Sequence, residues 1–182
     1  MKIVPCETYI QLIKKWNRRT FLIQENTITQ FKQRHFDDSL QLINYIPNGA
    51  KILDVGSGAG FPGMVLASTG LYDVSLCESN AKKCIFLREV SRETGVDVEI
   101  INRRVENLEK GTYSHMTARG FTSLIGLIEL MKHLDIKFGV FLKGRNIKGE
   151  IDCANKEYDF EYQLYDSKTS EDGKIVIVKL RG

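Results

Sequence analysis

The sequence predicts an α/β protein whose mostly parallel sheet has seven strands, and three observations support this fold. Apolar segments of strand length alternate with segments of helical periodicity over residues 51–142, a pattern typical of parallel sheets. Glycines cluster at 56–63, directly after the first strand, where doubly wound folds bind their ligands. Apolar segments at 160–164 and 175–178 close the chain and indicate an antiparallel pair at the sheet edge.

Composition indicates a single globular domain. With 182 residues, of which 42% are hydrophobic and 27% charged, the chain resembles an ordinary soluble protein that can bury a core. We expect residues 1–48 to form an N-terminal helical cap and residues 49–182 to form the α/β core. The net charge of +3, from 26 basic and 23 acidic side chains, is compatible with a nucleic-acid partner but does not require one.

The cysteines and histidines argue against a disulfide framework and against a metal site. The four cysteines have no C-x-x-C spacing, and the three histidines stand far apart; neither residue type shows ligand spacing. No apolar run approaches the length of a membrane span, and no signal-like segment opens the chain. We therefore expect a cytoplasmic monomer with reduced thiols, no bound metal and no contact with a membrane.

Two helices are predicted before the first strand, and they define the cap. Their apolar residues recur at the three- and four-residue spacing of a helix face. These residues are Tyr9, Leu12, Ile13 and Trp16 in the first helix, and Phe36, Leu40 and Ile43 in the second. Pro-Asn-Gly at 47–49 ends the second helix. The periodicity leaves residues 17–29 without an assignment.

The elements of the core follow in order. Asn80 is a suitable N-cap and Gly95 a suitable stop for a helix over 81–94, and a further helix begins near Met64. An apolar stripe from Leu124 to Leu134 predicts another helix. The predicted parallel strands are 51–54, 73–77, 98–102, 115–118 and 139–142.

The glycine-rich loop is the first candidate for a binding site. Glycines at 56, 58, 60 and 63 allow backbone N–H groups and a helix N-terminus to approach a ligand closely. Glu78 ends the second strand, where an acidic side chain can accept hydrogen bonds from both ribose hydroxyls of a nucleoside cofactor. Dinucleotide-dependent oxidoreductases, S-adenosylmethionine methyltransferases and nucleotide or nucleotide-sugar binders share this pattern. The antiparallel final strands favour the methyltransferases, whereas a plain surface turn would leave Glu78 solvated.

Several longer motifs make the sequence recognisable. They are Trp-Asn at 16–17, Arg-His-Phe-Asp-Asp-Ser-Leu at 34–40, Leu-Asp-Val-Gly-Ser-Gly-Ala-Gly-Phe-Pro-Gly at 53–63, Glu-Ser-Asn-Ala-Lys-Lys at 78–83, Phe-Leu at 86–87, Arg-Val-Glu at 104–106, Ala-Arg at 118–119 and Leu-Lys-Gly at 142–144. With them the chain resembles the bacterial 16S rRNA guanine-N7 methyltransferase family, called RsmG or GidB. The ending Gly-Phe-Pro-Gly and the downstream Asn-x-Lys-Lys are far more specific than the glycines alone.

The resemblance implies a Rossmann-like class I methyltransferase fold and S-adenosyl-L-methionine as cofactor. It implies methylation of N7 on one guanine of 16S rRNA, in the small ribosomal subunit or its assembly intermediate. The cofactor contacts implied by the resemblance and by the loop geometry are Gly56, Gly58, Phe61, Glu78, Val105, Glu106 and Arg119. Val105 and Glu106 would hold the adenine end, although Glu106 could instead be a solvated charge at a helix start. Arg119, the candidate for a catalytic role, could instead be a structural ion-pair partner.

RNA must also be bound, and basic side chains in the cap and near strand ends could contact phosphates. The candidates are Arg18, Arg34, His35, Lys143 and Arg145, with Arg19, Arg103, Arg104 and Lys148 as further possibilities. His35 either shapes the pocket or fastens the cap to the sheet. The Phe61 ring could stack on adenine or on a splayed base. Guanine N7 carries a lone pair and no proton, so the chemistry requires no general base.

Two departures from the family pattern bear on the substrate more than on the cofactor. Phe21-Leu-Ile23 stands where the family has Asn-Leu-Thr, and Gly120 replaces an alanine. The segment between Glu106 and Arg119 is also short. Three alternatives therefore stay open: a methyltransferase of this fold with another RNA or small-molecule acceptor, a dinucleotide-dependent oxidoreductase, and a non-catalytic RNA-binding module.

Overall fold

The computed structural model describes residues 4–181, which fold around one seven-stranded sheet. The strands are Lys51–Val55 (β1), Asp73–Cys77 (β2), Glu99–Ile101 (β3), His115–Arg119 (β4), Phe138–Lys143 (β5), Phe160–Asp166 (β6) and Lys174–Leu180 (β7). The α-helices are Cys6–Asn17 (α1), Asp38–Leu40 (α2), Gly63–Ser68 (α3), Ala81–Thr94 (α4), Leu124–Leu134 (α5) and Ile147–Ala154 (α6). Within residues 4–181, every helix is too short or too polar to cross a membrane.

The sheet has the order β3-β2-β1-β4-β5-β7-β6. Strands β1 to β5 are parallel, whereas β7 is antiparallel to both of its neighbours. The order reverses between β1 and β4, and the crevice at such a switch point, outside the carboxyl ends of the strands, binds ligands in open α/β sheets. Strand β7 lies between β5 and β6 and is antiparallel to both. The dinucleotide-binding order 3-2-1-4-5-6 has no such strand between its fifth and sixth strands. The prediction of a closing antiparallel pair is therefore confirmed.

The core lies on both faces of the sheet because the side chains of a strand alternate between them. On β1, Ile52 packs with the cap, α3 and α4, whereas Leu53 and Val55 pack with α5 and α6. All three side chains are fully buried. The sheet is thus covered on both sides, as parallel sheets require.

Helix α4 confirms a prediction made from local sequence alone. The Asn80 side-chain oxygen accepts hydrogen bonds from the backbone N–H groups of Lys82 at 2.9 Å and Lys83 at 3.3 Å. Gly95 follows the helix with φ of 67°, a left-handed conformation that glycine adopts without a steric penalty. Start and stop are therefore both encoded within a few residues of the helix ends.

The cap differs from the single second helix that the periodicity predicts. The chain forms a 3-10 helix over Glu25–Gln30, a π-helix over Lys32–Asp37, the short α2, and a 3-10 helix over Gln41–Asn44. A 3-10 helix or a π-helix does not have the 3.6 residues per turn of an α-helix, so a search for apolar residues at α-helical spacing does not detect these segments. Two smaller differences concern the core: the third strand is shorter than predicted, and α6 had no predicted counterpart.

Candidate active site

The loop between β1 and α3 encloses space that the protein itself leaves open. Gly58 has φ of 56°, and a Cβ atom there would come no closer than 3.7 Å to another residue, at the Gly56 carbonyl oxygen. A Cβ atom on Gly60, by contrast, would lie 2.3 Å from the Tyr9 hydroxyl oxygen. Glycine at 60 is therefore required by packing, whereas the space beside Gly58 is available to a ligand.

Glu78 is held against this loop by backbone hydrogen bonds. Its Oε2 atom accepts from the Gly58 N–H at 3.0 Å, and its Oε1 atom accepts from the Asn80 N–H at 2.8 Å. The residue is 8% exposed, so the solvated alternative is wrong. Each carboxylate oxygen has a second lone-pair direction, so both can accept a further hydrogen bond from a ligand.

A cleft of about 300 Å³ lies at the carboxyl ends of β1, β2 and β3. It brings together four of the predicted cofactor contacts with basic residues of the loop after β3. The lining residues are Gly56, Cys77, Glu78, Ser79, Lys83, Arg103, Arg104, Val105, Glu106, Gly120 and Phe121. Val105 is buried and Glu106 exposed, on a 3-10 turn over Val105–Asn107. We call this the first cleft.

Asp54 lies under the loop with its carboxylate fully buried. Its Oδ1 atom accepts a hydrogen bond from the Thr117 hydroxyl at 2.8 Å, while its Oδ2 atom lacks a hydrogen-bond partner among the described residues. Burial raises the pKa of Asp54 to about 6, because the charged form loses its water.

Phe61 does not present its ring to the cleft, which corrects the expectation that it stacks on a base or on adenine. The side chain is 3% exposed. Its ring is stacked against Tyr9 at 5.2 Å and against His35 at 5.3 Å between centroids. Because the ring is enclosed by the cap, it supports the glycine loop from below and leaves only its backbone for a ligand.

Arg119 joins the end of β4 to the cap. Its guanidinium donates hydrogen bonds to the Arg34 carbonyl oxygen at 3.1 Å and to His35 Nδ1 at 3.0 Å. The guanidinium also pairs with Asp38 at 3.5 Å and lies over the Phe61 ring at 4.9 Å. Burial lowers the pKa of Arg119, although an arginine keeps its charge. The structural ion-pair role that the sequence left open is thus present.

His35 fastens the cap to the sheet. Because arginine can only donate, Nδ1 must accept from Arg119, and Nε2 therefore carries the proton and donates to the Thr27 hydroxyl at 2.9 Å. Burial, together with the positive charge of Arg119, lowers the pKa of His35 to about 3. The imidazole is consequently neutral at physiological pH and cannot serve as a cation for RNA.

A second cleft of about 340 Å³ lies beside the first, at the carboxyl ends of β4 and β5. The cap and the β6–β7 turn form its other walls. Its lining residues are Thr27, Arg34, His35, Asp38, Arg119, Gly120, Leu142, Lys143, Gly144, Thr169, Ser170, Asp172, Gly173 and Lys174. Gly120 lines both clefts, so the two clefts meet where β4 ends.

The RNA-binding candidates are not gathered in one place. Lys143 is directed inward: its ammonium binds Glu150 at 2.7 Å and the Thr122 carbonyl oxygen at 2.9 Å, and its side chain is 9% exposed. Arg145 forms an exposed pair with Asp172 at 2.7 Å, and Arg34 is exposed at the second cleft.

Arg18 lies elsewhere, on the outer side of α1. It borders a groove of about 650 Å³ lined by Gln11, Lys14, Lys15, Trp16, Arg18, Arg19 and Glu89. We call this the α1 groove. The candidates therefore divide between the second cleft and a separate basic surface.

Two residues of the site were not singled out from the sequence. Asp38 accepts hydrogen bonds from Thr169 at 2.7 Å and from Gln41 at 2.9 Å, besides its pairing with Arg119. Phe121 is 43% exposed at the first cleft. In the sequence, Asp38 is noticeable only as part of the motif at 34–40, and Phe121 only as the residue that follows Gly120. Neither feature indicates a contact with a distant element.

Among the described residues, no group of three His, Cys, Asp or Glu side chains could hold a metal ion. The comparisons with known proteins agree with the geometry. A family model described as rRNA small subunit methyltransferase G matches residues 3–175. The ribosomal RNA small subunit methyltransferase G of Rickettsia felis is 42% identical over 179 residues, which are 97% of this chain and 92% of that protein.

Solved structures share the fold at low sequence identity. A methyltransferase dependent on S-adenosylmethionine from Aquifex aeolicus superposes with a TM-score of 0.66 at 12% identity, over 94% of this chain and 98% of that one. An rRNA methylase from Streptococcus thermophilus gives 0.57 at 18% identity, over 79% of this chain and 94% of that one. These likenesses concern the architecture, which is that of a Rossmann-like methyltransferase.

Proposed function

The chain belongs to the rRNA small subunit methyltransferase G family, and from this premise we propose that it methylates N7 of one guanine in 16S rRNA. The observation that carries the proposal is the junction of the two clefts at Gly120. The first cleft is lined by Gly56 of the glycine loop and by Glu78, the acidic residue of a nucleoside site. The second is open, bordered by the cap and close to exposed basic side chains, and accommodates the acceptor base.

The residues of the first cleft fit S-adenosylmethionine, the cofactor of this methyltransferase. Gly56 lines the first cleft, and Gly58 and Phe61 of the same loop would offer their backbones to the cofactor. Glu78 offers two anchored carboxylate oxygens to the ribose hydroxyls. Val105 supplies an apolar contact for adenine, and Glu106 a hydrogen-bond acceptor for its amino group. When bound, the cofactor supplies a methyl group on a positively charged sulfur.

The residues of the site act by positioning the guanine and the cofactor relative to each other, since guanine N7 needs no deprotonation. Effective transfer requires the nucleophile to lie about 3–3.5 Å from the methyl carbon. Arg119 holds the end of β4 against the cap, and thereby fixes the junction between cofactor and base. No acid or base is required at the transferred methyl group, so the proposal calls for no catalytic triad.

The proposed substrate is the small ribosomal subunit or an assembly intermediate, bound by a cytoplasmic monomer. Arg34 lines the second cleft, and Arg145 pairs with Asp172, which also lines it. Both arginines would contact phosphates near the target base, and Arg18 would contact a more distant strand. We further propose one domain over residues 1–182, with the cap at 1–48. The core that Tyr9 and Phe31 of the cap share with Met64 and Phe86 supports this.

The test uses small subunits purified from a strain that lacks the gene, with radiolabelled S-adenosylmethionine as methyl donor. Label should appear in 16S rRNA at N7 of a single guanine, which cleavage chemistry specific for 7-methylguanosine locates. Unlabelled subunits would exclude this acceptor, and label in transfer RNA supplied in a parallel reaction would favour another RNA substrate. A thermal-shift titration with NAD(P) and S-adenosylhomocysteine tests the oxidoreductase alternative, since only a ligand of the native state raises apparent stability.

A further inference from the structure

Phe121 is an exposed aromatic side chain of the first cleft, next to the residue that borders both clefts. It lines the first cleft, is 43% exposed, and directly follows Gly120, which borders both clefts. We propose that the face of the Phe121 ring is the surface on which the target guanine stacks. This inference rests on the proposed function, because it assumes that a guanine enters the second cleft.

The ring is held against the glycine loop. A Cβ atom on Gly56 would lie 2.1 Å from Cδ2 of Phe121, so glycine at this position leaves room for the ring. The positive φ of Gly120, 61°, turns the chain sharply between Arg119 and Phe121. The ring therefore lies at the side of the first cleft, next to Gly120, where a base that enters from the second cleft can place its face on the ring and leave the path between N7 and the methyl group free.

The loop that carries Phe121 is fixed at its next residues. The Thr122 carbonyl oxygen accepts a hydrogen bond from the ammonium of Lys143 at 2.9 Å. The Ser123 hydroxyl caps α5 through the Gly126 N–H at 3.2 Å, and the Glu150 carboxylate accepts from the Leu124 N–H at 2.6 Å. A pre-positioned ring loses little entropy when a base stacks on it.

No other large aromatic side chain in residues 4–181 has this combination of exposure and position. Phe61 is enclosed by Tyr9 and His35. Phe138 opens β5 at the amino end of the strand, away from the clefts, and stacks on His115. The remaining exposed aromatic side chains outside the site are Phe21, Tyr162 and Tyr165.

Stacking suits both the acceptor and the reaction. A base drawn out of its RNA helix loses its stacking neighbours, and an aromatic side chain replaces them. Methylation at N7 leaves the guanine positively charged, and the negative face of an aromatic ring attracts a cation. The ring would thus bind the base and favour the charge that develops on it.

The experiment compares Phe121→Leu, which keeps an apolar side chain but removes the π face, with Phe121→Tyr, which keeps the face. Phe138→Leu is the matched control, an exposed phenylalanine at the opposite end of the sheet. Each protein is titrated calorimetrically with S-adenosylhomocysteine, and its affinity for protein-free 16S rRNA is measured by filter binding. Its kcat and KM are then measured with unmethylated small subunits.

Phe121→Leu should lower kcat/KM by about 10- to 100-fold, since stacking is worth about 1–3 kcal/mol per base. Its Kd for S-adenosylhomocysteine should stay within about threefold of wild type, and its RNA affinity should fall less than its kcat/KM, because phosphate contacts remain. Phe121→Tyr and Phe138→Leu should behave as wild type.

Three results would overturn the stacking role: a Phe121→Leu protein with more than about a third of wild-type activity, a Phe121→Tyr protein as impaired as Phe121→Leu, or cofactor affinity that falls in parallel with activity. The last would make the ring a cofactor contact. If the wild-type protein itself transfers no methyl group to small subunits, the proposed function fails and this inference fails with it. A failure of the inference alone leaves wild-type activity intact.

Discussion

At the scale of single residues, Asp54 and Glu78 are two carboxylates of adjacent strands in different environments. Asp54 is fully buried with one oxygen that lacks a partner, and burial raises its pKa to about 6. Glu78 is also shielded, but each of its carboxylate oxygens accepts a hydrogen bond from a backbone N–H group. We therefore expect Asp54 to affect the stability of the fold, and Glu78 to serve the ligand binding proposed above.

Asp54 should make stability depend on pH. Below about pH 4 the carboxyl is protonated in folded and unfolded chains alike, so it has no effect. Between about pH 4 and 6 the folded state keeps a proton that the unfolded state has released, so stability falls as pH rises. Above the folded pKa of about 6, the loss is constant at about 3 kcal/mol.

The substitution Asp54→Asn should remove this dependence. The unfolding free energy of the variant minus that of wild type should rise by up to about 3 kcal/mol between pH 4 and 6, then level off. Urea denaturation at each pH measures it, and the contribution of His35 cancels because both proteins share it. Asp73→Asn, at the exposed start of β2, is the control. A difference that stays constant from pH 4 to 7 would contradict the assignment.

Glu78→Gln should weaken S-adenosylhomocysteine binding by about 10- to 100-fold. A glutamine has one oxygen, so its amide nitrogen would face either the Gly58 or the Asn80 N–H, and one backbone donor would lose its partner. The lost ribose contact costs about 1–3 kcal/mol of binding free energy, whereas the unpaired backbone donor lowers the stability of the protein with and without ligand. Calorimetry measures the change. Glu93→Gln, on the outer side of α4, should bind as wild type, and equal affinity in the two variants would refute the ribose role.

At the scale of elements, the cap is joined to the sheet through Asp38. Its carboxylate pairs with Arg119 of β4, and it accepts hydrogen bonds from Thr169 of the β6–β7 turn and from Gln41 of the cap itself. The pair with Arg119 is largely shielded, with side-chain exposures of 21% for Arg119 and 16% for Asp38. One carboxylate thus connects three segments that are distant in sequence.

Asp38→Asn should destabilise the protein by about 1–3 kcal/mol, because a shielded arginine loses its counter-charge. Asp37→Asn is the matched control, since Asp37 pairs with Lys32 in an exposed ion pair that should contribute less than about 1 kcal/mol. Chemical denaturation measures both. Methyl transfer should fall with Asp38→Asn, as Arg119 loses one of its anchors. Equal destabilisation by the two variants would show that Asp38 contributes no more to stability than an exposed ion-pair partner, and would contradict its role in joining the cap to the sheet.

At the scale of the whole molecule, positive charge is distributed unevenly although the net charge is only +3. The α1 groove contains four basic side chains and one acidic side chain, Glu89, which is already bound by Lys15 at 2.8 Å and by the Trp16 indole N–H at 2.7 Å. A large RNA held at the clefts could reach this surface. Net charge alone therefore understates the capacity to bind phosphates.

The double substitution Arg18→Ala with Arg19→Ala should weaken RNA binding and reduce its salt dependence. Loss of two phosphate contacts lowers the slope of log K against log salt concentration by about 1–2. Filter binding to small subunits at several salt concentrations measures the slope. Lys179→Ala, which removes an exposed lysine paired with Glu161 on the far sheet edge, should leave it unchanged. An unaltered slope in the double variant would exclude the α1 groove from the RNA interface.

Local sequence determined much of the fold and part of the site. The capping of α4 by Asn80 and Gly95 and the positions of β2 and α5 follow from interactions within a few residues, so periodicity and cap chemistry predict them. The glycine loop and Glu78 were predictable because a strand, a tight turn and the next strand bring them together in any fold of this class.

Only the tertiary structure decided which distant residues meet. Arg119 reaches Asp38 across 81 positions, Lys143 is drawn inward by Glu150, and Phe61 is enclosed by the cap while Phe121 stands exposed on Gly56. Each outcome depends on which strand ends become neighbours and on how the cap lies over them. No periodicity within one segment records such contacts, because their energy arises only after the sheet has brought the segments together.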